Sequence, residues 1–298
     1  MRSIRALKLM NRREFMVGAV AAGLVPTLSA GDEGALKVRF LGTGAADWNG
    51  RDARGELRRL SSILVDDGAL VDFTSTALDM LPDGVRPEAI LYTHSHEDHY
   101  DPKAALGLGV KRVYTHESWA DGARGEFAAA ARALGVAVPE VKGLAFGEAV
   151  SENGVRFTCV PANHATGRTG ERTAMYLIEK GRERLLYATD TGGITAEAAR
   201  IVGIDAHVRG GRPITALIME ATMGLGHEDD FRIYTHSSVE TVARIVRVLT
   251  ATKRYLPPPG RKAYLTHMAR TLHGTHAEVS ASVPAPLCPA RDGLEVLF

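Results

Sequence analysis

The 298-residue chain contains only two cysteines, Cys159 and Cys288. Two cysteines cannot make a disulfide framework, so the fold must be held by an apolar core. A single bridge between them stays open, although Cys159 lies in the alternation Arg156-Phe157-Thr158-Cys159-Val160 and reads as a buried strand residue. Heptads, internal repeats and low-complexity tracts are all lacking, which excludes coiled coils and solenoids. No apolar run is long enough for a convincing membrane span. An excess of one charge is lacking too, because the whole chain is only +1. Residues 1–30 carry +4, from Arg2, Arg5, Lys8, Arg12 and Arg13 against Glu14, which leaves the rest near −3. That balance excludes a general polyanion binder, and long nucleic acids are not expected partners.

The first thirty residues read as a targeting segment. Asn11-Arg12-Arg13-Glu14-Phe15-Met16 precedes the apolar run Val17–Val25, and Pro26-Thr27-Leu28-Ser29-Ala30 ends it with small residues. A charged region, an apolar region and a small-residue end form a secretory signal. The paired arginines resemble a twin-arginine signal, which is an address and not an anchor. Cleavage after Ala30 is expected, with a location in the periplasm or outside the cell and no stable membrane insertion afterwards. Twin-arginine export carries folded proteins, which suits a protein loaded with metal beforehand.

What is plentiful is histidine in one place. Thr93-His94-Ser95-His96-Glu97-Asp98-His99-Tyr100-Asp101-Pro102 holds three of the eleven histidines within six positions. No core or turn needs that composition. The apolar run Ala89-Ile90-Leu91-Tyr92 reads as a strand that delivers this loop. His94 and His96 are two apart, so on extended chain they project to one side and can grip one ion. Asp98 and His99 follow the turn and can face a second. Imidazole with carboxylate suits zinc first, then manganese or iron.

Strands are expected at 36–41, 61–65, 69–73, 89–93, 149–150, 155–160, 174–179, 184–187, 215–219 and 262–265, with a hairpin turn at Asp66-Asp67-Gly68. Helices are expected at 74–81, 102–108, 117–134, 196–202 and 237–249, the last with apolar residues at helical spacing. Residues 47–59 read as a long polar loop. Leu294-Glu295-Val296-Leu297-Phe298 fits either a last strand after the turn Asp292-Gly293-Leu294 or the remnant of a protease-cleavable tag. Strands with helices inserted throughout and no linker favour one α/β domain, residues 31–298, with helices outside packed sheets.

A loop with four donors cannot close two metal sites alone. His164, Asp190 and His267 each follow a strand expected to end just before them. Taken singly each is an ordinary strand-end residue; together with the His-rich loop they are hard to dismiss. This ordered set resembles the metallo-β-lactamase superfamily, a four-layer αβ/βα sandwich with metals at one edge of two sheets. The resemblance spans residues 36–296. It implies that His94, His96 and His164 hold one metal, that Asp98, His99 and His267 hold the other, and that Asp190 bridges them. Asp72 matches an early Asp that steadies the His loop. Two cations ~3.5–4 Å apart that share a water would then hydrolyse an ester, amide, thioester or phosphodiester. β-Lactamases of the superfamily generally lack the bridging Asp, whereas thioesterases and lactonases keep it. Flavodiiron relatives put Glu where His96 stands, which disfavours iron redox chemistry.

Two further segments resemble phosphodiesterases. Glu220-Ala221-Thr222 is similar to a segment of RNase Z-type enzymes, and Thr235-His236-Ser237-Ser238 to another, with Thr235 in place of Gly. The resemblance implies that Glu220 orients His236 as general acid. Read plainly, Glu220 ends a strand and His236 starts a helix. The whole layout resembles bacterial phosphoribosyl cyclic phosphodiesterases, with Leu41-Gly42-Thr43-Gly44, Ser61-Ser62-Ile63-Leu64-Val65 and Leu265-Thr266-His267-Met268. It departs from them in having no cysteine in 47–59 and Arg270 where a second His often stands. Arg51, Arg54, Arg58 and Arg59 either bind a phosphate or form a solvated loop. His116, His207 and His227 read as surface or loop residues; His273 and His276 follow His267 closely.

The expectation is an exported dinuclear-metal hydrolase of a small phosphodiester, a cyclic nucleotide or cyclic sugar phosphate. The alternatives are a lactonase or β-lactamase-like hydrolase and, from another class, a non-hydrolytic metal-binding protein for sensing or cofactor maturation. A homodimer stays open.

Overall fold

The computed structural model describes residues 34–48, 50–205, 207 and 211–298. The expected export segment, residues 1–30, lies outside them. Fourteen strands form two seven-stranded sheets. The first contains β1 (Lys37–Gly42), β2 (Ser62–Val65), β3 (Ala69–Val71), β4 (Ala89–Leu91), β5 (Arg112–His116), β6 (Glu140–Leu144) and, on the edge beside β1, β14 (Glu295–Leu297). The second contains β7 (Ala149–Glu152), β8 (Val155–Pro161), β9 (Ala174–Lys180), β10 (Glu183–Ala188), β11 (Ala216–Glu220), β12 (Ala263–Thr266) and β13 (Leu287–Pro289), in order 13-12-11-10-9-8-7. Each sheet is antiparallel in one half and parallel in the other. In the first, β3 through β6 run parallel. In the second, β10 through β13 do. Parallel neighbours end at the same rim of a sheet, so the loops that follow them cluster there.

Both faces of the central strands are buried, and period-two alternation sorts their side chains. Ile63 and Val65 face the other sheet while Leu64 faces outward to helices; Leu185 and Tyr187 face inward while Leu186 and Ala188 face outward. The space between the sheets is filled by Val38, Phe40, Val71, Leu91, Phe157, Cys159, Tyr176, Ile178 and Ile218 among others. Burial pushes the Cys159 thiol up to about 12, and neither cysteine is bridged. Outside the first sheet pack α1 (Pro102–Leu108) and α2 (Ala120–Leu134), through Ala105, Leu106, Ala123, Phe127 and Ala131. Outside the second pack α3 (Ala196–Val202) and α4 (Val239–Ala251), through Ala198, Val202, Val242 and Val246. The result is the four-layer αβ/βα sandwich that the sequence led us to expect.

Local chemistry sets the ends of these elements. The Asp101 side chain caps α1 by accepting from the Ala104 amide at 3.0 Å, with Pro102 at the first helical position. Ser238 caps α4 through Thr241 at 3.1 Å. The β2–β3 hairpin turns on Asp66 and Asp67, both at positive φ (46° and 55°), the conformation of a type I′ turn. The expected helix 117–134 is instead a 3₁₀ turn, Glu117–Trp119, followed by α2. β5, β6, β13 and the short helix α5 (His276–Ser282) were not foreseen. Residues 295–297 do form a last strand, and Phe298 is buried beside it.

Candidate metal and catalytic site

All the sequence-selected donors stand just beyond strands at one rim of the two sheets. The first sheet supplies Asp72 after β3 and the loop His94–His99 after β4. The second supplies His164 after β8, Asp190 after β10, Glu220 at the end of β11 and His267 after β12. Asp72, Asp190 and His267 all adopt left-handed φ, at 54°, 46° and 50°. That conformation is strained for residues with a Cβ, and it turns each side chain from its strand toward the shared rim.

The side chains converge tightly. Ligand atoms of His94, His96 and His164 lie within 4.8 Å of one another, as do those of Asp98, His99 and His267, and those of His94, His99 and Asp190. His94 Nε2 lies 2.9 Å from His96 Nδ1, and His164 Nε2 lies 3.3 Å from the same atom. His99 Nε2 stands 3.0 Å from Asp190 Oδ2 and 3.3 Å from Asp98 Oδ2. His267 Nε2 is 3.3 Å from both of those oxygens.

The opposite nitrogen of four rings is anchored, and this selects which atom faces the centre. Thr93 Oγ1 donates to Asp72 Oδ2 at 2.8 Å and accepts from His94 Nδ1 at 2.9 Å. His99 Nδ1 donates to Asp72 Oδ2 at 2.8 Å. His164 Nδ1 donates to the Thr235 carbonyl at 3.2 Å, and His267 Nδ1 donates to Thr222 Oγ1 at 2.9 Å. Each of these four rings therefore turns its Nε2 inward, the arrangement that orients metal-binding histidines.

The donor set fits divalent ions. Burial holds His94 and His164 below the usual imidazole range, so neutral rings converge on His96. Zinc–nitrogen bonds of about 2.0–2.1 Å in a tetrahedron place nitrogens roughly 3.3 Å apart, close to the spacing seen here. At His99, burial favours the neutral ring, but Asp190, Asp98 and Asp72 outweigh it and raise its pKa well above the ordinary value. Burial likewise pushes the Asp190 carboxyl up, yet His267 and His99 hold it well below the carboxylate range. Asp98 is held low in the same way by His99 and His267. His99 Nε2 is buried and meets neither carboxylate with hydrogen-bond geometry. Its surroundings demand positive charge at that point, which a cation supplies as well as a proton.

Glu220 and His236 stand beside this cluster. Glu220 is fully buried and accepts from the amides of Thr191 (2.5 Å) and Thr222 (3.2 Å), and from the Thr222 hydroxyl. His236 Nδ1 is 3.1 and 3.2 Å from its two oxygens and 3.8 Å from Asp190 Oδ1. Burial lowers the His236 pKa, but Glu220 outweighs it and raises the ring to about 9. A cleft of about 420 Å³ is lined by His96, Asp98, His164, Asp190, His236 and His267, together with Asp47, Thr222, Arg232 and Thr271.

Some expectations land elsewhere. Arg51 donates to Gly55 O, Arg54 pairs with Glu278, and Arg59 pairs with Asp79. Arg58 is buried against Thr43 Oγ1 and Ala290 O, so none of the four lines the cleft and the phosphate reading of that loop is not supported. His116 is buried against Phe146 and is not a surface residue. His207 and His227 stay outside the metal-binding groups among the described residues. His273 donates to Ala221 O at 2.7 Å, and burial lowers it to about 4; His276 begins α5. Sequence reasoning did not single out Thr93, Thr222 or Arg232 for roles here. A hydroxyl one or two residues from a strand-end acid or His was the available signal for the two threonines. Glu171 was missed as well: it accepts from the Ser95 amide (2.8 Å) and hydroxyl (2.6 Å), pinning the His loop from the β8–β9 connection.

Comparison with known proteins agrees with this fold. No curated protein sequence matches the chain. Among solved structures it is similar to a diphosphatase from the PhnP family, with 21% identity over 89% of this chain and 97% of that one and a TM-score of 0.57. It is also similar to the metallo-β-lactamase fold protein YhfI from Bacillus subtilis, at 18% identity, 89% and 100% coverage and a TM-score of 0.61. Zn²⁺-bound PqqB from Methylobacterium extorquens matches at 21% identity, 87% and 99% coverage and a TM-score of 0.61. At such identities the likeness establishes the fold. The β-lactamase superfamily domain model matches residues 63–268, the span from β2 to just past His267. With this domain match and a rim of clustered His and Asp side chains, the chain belongs to the metallo-β-lactamase superfamily as a metal-dependent hydrolase.

Proposed function

We propose that the protein is a dinuclear-metal phosphodiesterase for a small substrate, a cyclic nucleotide or cyclic sugar phosphate. In this reading His94, His96 and His164 hold one divalent ion, Asp98, His99 and His267 hold the other, and Asp190 lies between them. Zinc suits the donor set first, with manganese or iron as alternatives. Bound there, two such ions would acidify water and would neutralise the charge of the group attacked. The protein's own groups do the rest. The anchored Nδ1 atoms of His94, His99, His164 and His267 keep four lone pairs aimed at the centre. Glu220 keeps a proton on His236 Nδ1, which leaves Nε2 to deliver a proton to the departing oxygen. A proton donor matters most when that oxygen is a poor leaving group, as in an alkyl phosphodiester.

The observation that carries this reading is the Glu220–His236 pair, hydrogen-bonded at 3.1 Å on the same cleft as the converged His and Asp side chains. Zinc-loaded protein should hydrolyse bis(p-nitrophenyl) phosphate, lose the activity with chelator and regain it with zinc. His236→Ala should slow an alkyl diester by about 10²–10⁴ and affect the p-nitrophenyl ester less. Loaded protein that is inert on diesters but opens lactones or nitrocefin would replace the reading with the lactonase or β-lactamase-like one. Inertness on every ester would favour metal binding without turnover. We further propose export of the domain by residues 1–30. Replacing Arg12 and Arg13 by lysines should keep a folded reporter in the cytoplasm, and unchanged export would remove that assignment.

A further inference from the structure

Arg232 is the only lysine or arginine among the described residues that line the metal cleft. It sits in the 3₁₀ turn Phe231–Tyr234, and its backbone is tied directly to the candidate acid. The Arg232 carbonyl accepts from the amides of Thr235 at 2.9 Å and His236 at 2.8 Å. The next carbonyl in that segment that touches the site, Thr235 O, accepts from His164 Nδ1. Arg232 is thus placed relative to His236 and His164 by short, hydrogen-bonded backbone and not by a free loop.

The guanidinium is also oriented. Asp230 Oδ1 accepts from the Arg232 amide at 3.0 Å, and Oδ2 accepts from Nη1 at 2.8 Å. The guanidinium carbon lies 4.9 Å from the centre of the Phe231 ring. Nε and Nη2 have no protein acceptor among the described residues, so part of the donor fork is left for a ligand. Asp47, the other charged group of the cleft outside the metal-binding groups, is already occupied. Its oxygens accept from the Arg270 amide, the Thr271 amide and the Thr271 hydroxyl. A substrate's scissile group would be neutralised by the ions, and Arg232, paired with Asp230 through Nη1 alone, then offers its remaining guanidinium donors at the cleft.

We propose that Arg232 is a substrate-selecting residue that binds an oxyanion, carboxylate or phosphate, carried on the part of the substrate beyond the scissile group. The inference deepens the phosphodiesterase reading and rests on it for the word substrate. The occupant is a molecule with two separated anionic groups, one for the metal pair and one for the guanidinium fork.

The test compares the binding of three uncleavable probes to zinc-loaded protein by calorimetry: phenylphosphonate, 3-carboxyphenylphosphonate and 1,3-phenylenediphosphonate. The wild type should bind at least one of the two probes with a second anionic group roughly tenfold to a hundredfold more tightly than phenylphosphonate. The larger preference tells carboxylate from phosphate. Arg232→Gln should erase the preference, and Arg232→Lys should restore part of it as a point charge without the fork. Arg244→Gln, the same charge change on the exposed face of α4, should keep it. A preference that survives Arg232→Gln, or that Arg244→Gln removes equally, overturns the proposal. Hydrolysis of bis(p-nitrophenyl) phosphate by the same preparations reports separately on the reaction. An inert wild type that still shows an Arg232-dependent preference would overturn the phosphodiesterase reading and uphold the anion site.

Discussion

The Thr222 hydroxyl stands between Glu220 and His267 Nδ1 as the Thr93 hydroxyl stands between Asp72 and His94 Nδ1. In each case a buried carboxylate accepts from a threonine, and the threonine accepts from an imidazole whose far nitrogen faces the cluster. The two sheets thus use the same three-residue relay, one on each side of the site. Thr222→Val keeps the shape and removes the hydroxyl, leaving the Nδ1 proton of His267 without its acceptor, while the Glu220 oxygen keeps the Thr222 amide and His236 Nδ1. Loss of such outer hydrogen bonds typically costs 10–100-fold in metal affinity. If two ions bind as proposed, the one held by His267 should bind that much more weakly in a chelator competition, while the other is little affected. Equal weakening of both, or of neither, would show that the relay does not orient His267. Neither threonine stood out in the sequence, because a hydroxyl beside a strand end is ordinary and its partner, His267, lies 45 residues away.

Among the elements, those with strong local signals were legible and those defined by neighbours were not. β4 and β10 are short apolar runs, and α4 has apolar residues at helical spacing. β6 escaped notice because it is an edge strand whose sequence, Glu-Val-Lys-Gly-Leu, buries only Leu144 fully. β5 escaped because a five-residue strand ending in Thr115-His116 has little alternation to display. The glycine loop after β1 was legible as a turn, but its reason is spatial. The β1–β2 register shifts between Phe40 and Gly42, and a Cβ on Gly42 would stand 1.9 Å from the Leu60 carbonyl oxygen. Backbone, unlike a flexible side chain, cannot step aside. Gly42→Ala should therefore destabilise the fold by about 1–3 kcal/mol or more, as overpacking does. Denaturant unfolding measures this, and an unchanged midpoint would mean that the strand pair has slack here.

For the whole molecule, the candidate metal groups join the two sheets. Asp98 and His99 come from the loop after β4, whereas Asp190 and His267 come from the second sheet. Ions bound there would tie the two halves together only in the folded state. Zinc at a thousand times its dissociation constant should therefore add about 4 kcal/mol of stability, visible as a higher melting temperature that chelator reverses. A melting temperature indifferent to zinc would argue against ligands drawn from both sheets. Among the described residues no helix is long and apolar enough to cross a membrane.

The sequence by itself determined the kind of chemistry and the architecture that delivers it. His94-x-His96-x-Asp98-His99 is a local pattern, and a strand that ends in it needs no distant partner to be read as a metal loop. His164, Asp190, Glu220, His236 and His267 were visible as strand-end or helix-start residues, and their order carried the family resemblance. Only the tertiary structure decided that their ligand atoms approach within a few ångströms, which nitrogen of each ring faces inward, and that the arginines of 51–59 are spent elsewhere while Arg232 enters the cleft. The physical reason is that proximity between residues of two sheets arises from how the parallel strands end at a common rim. That depends on sheet order and packing, and no run of neighbouring residues encodes it.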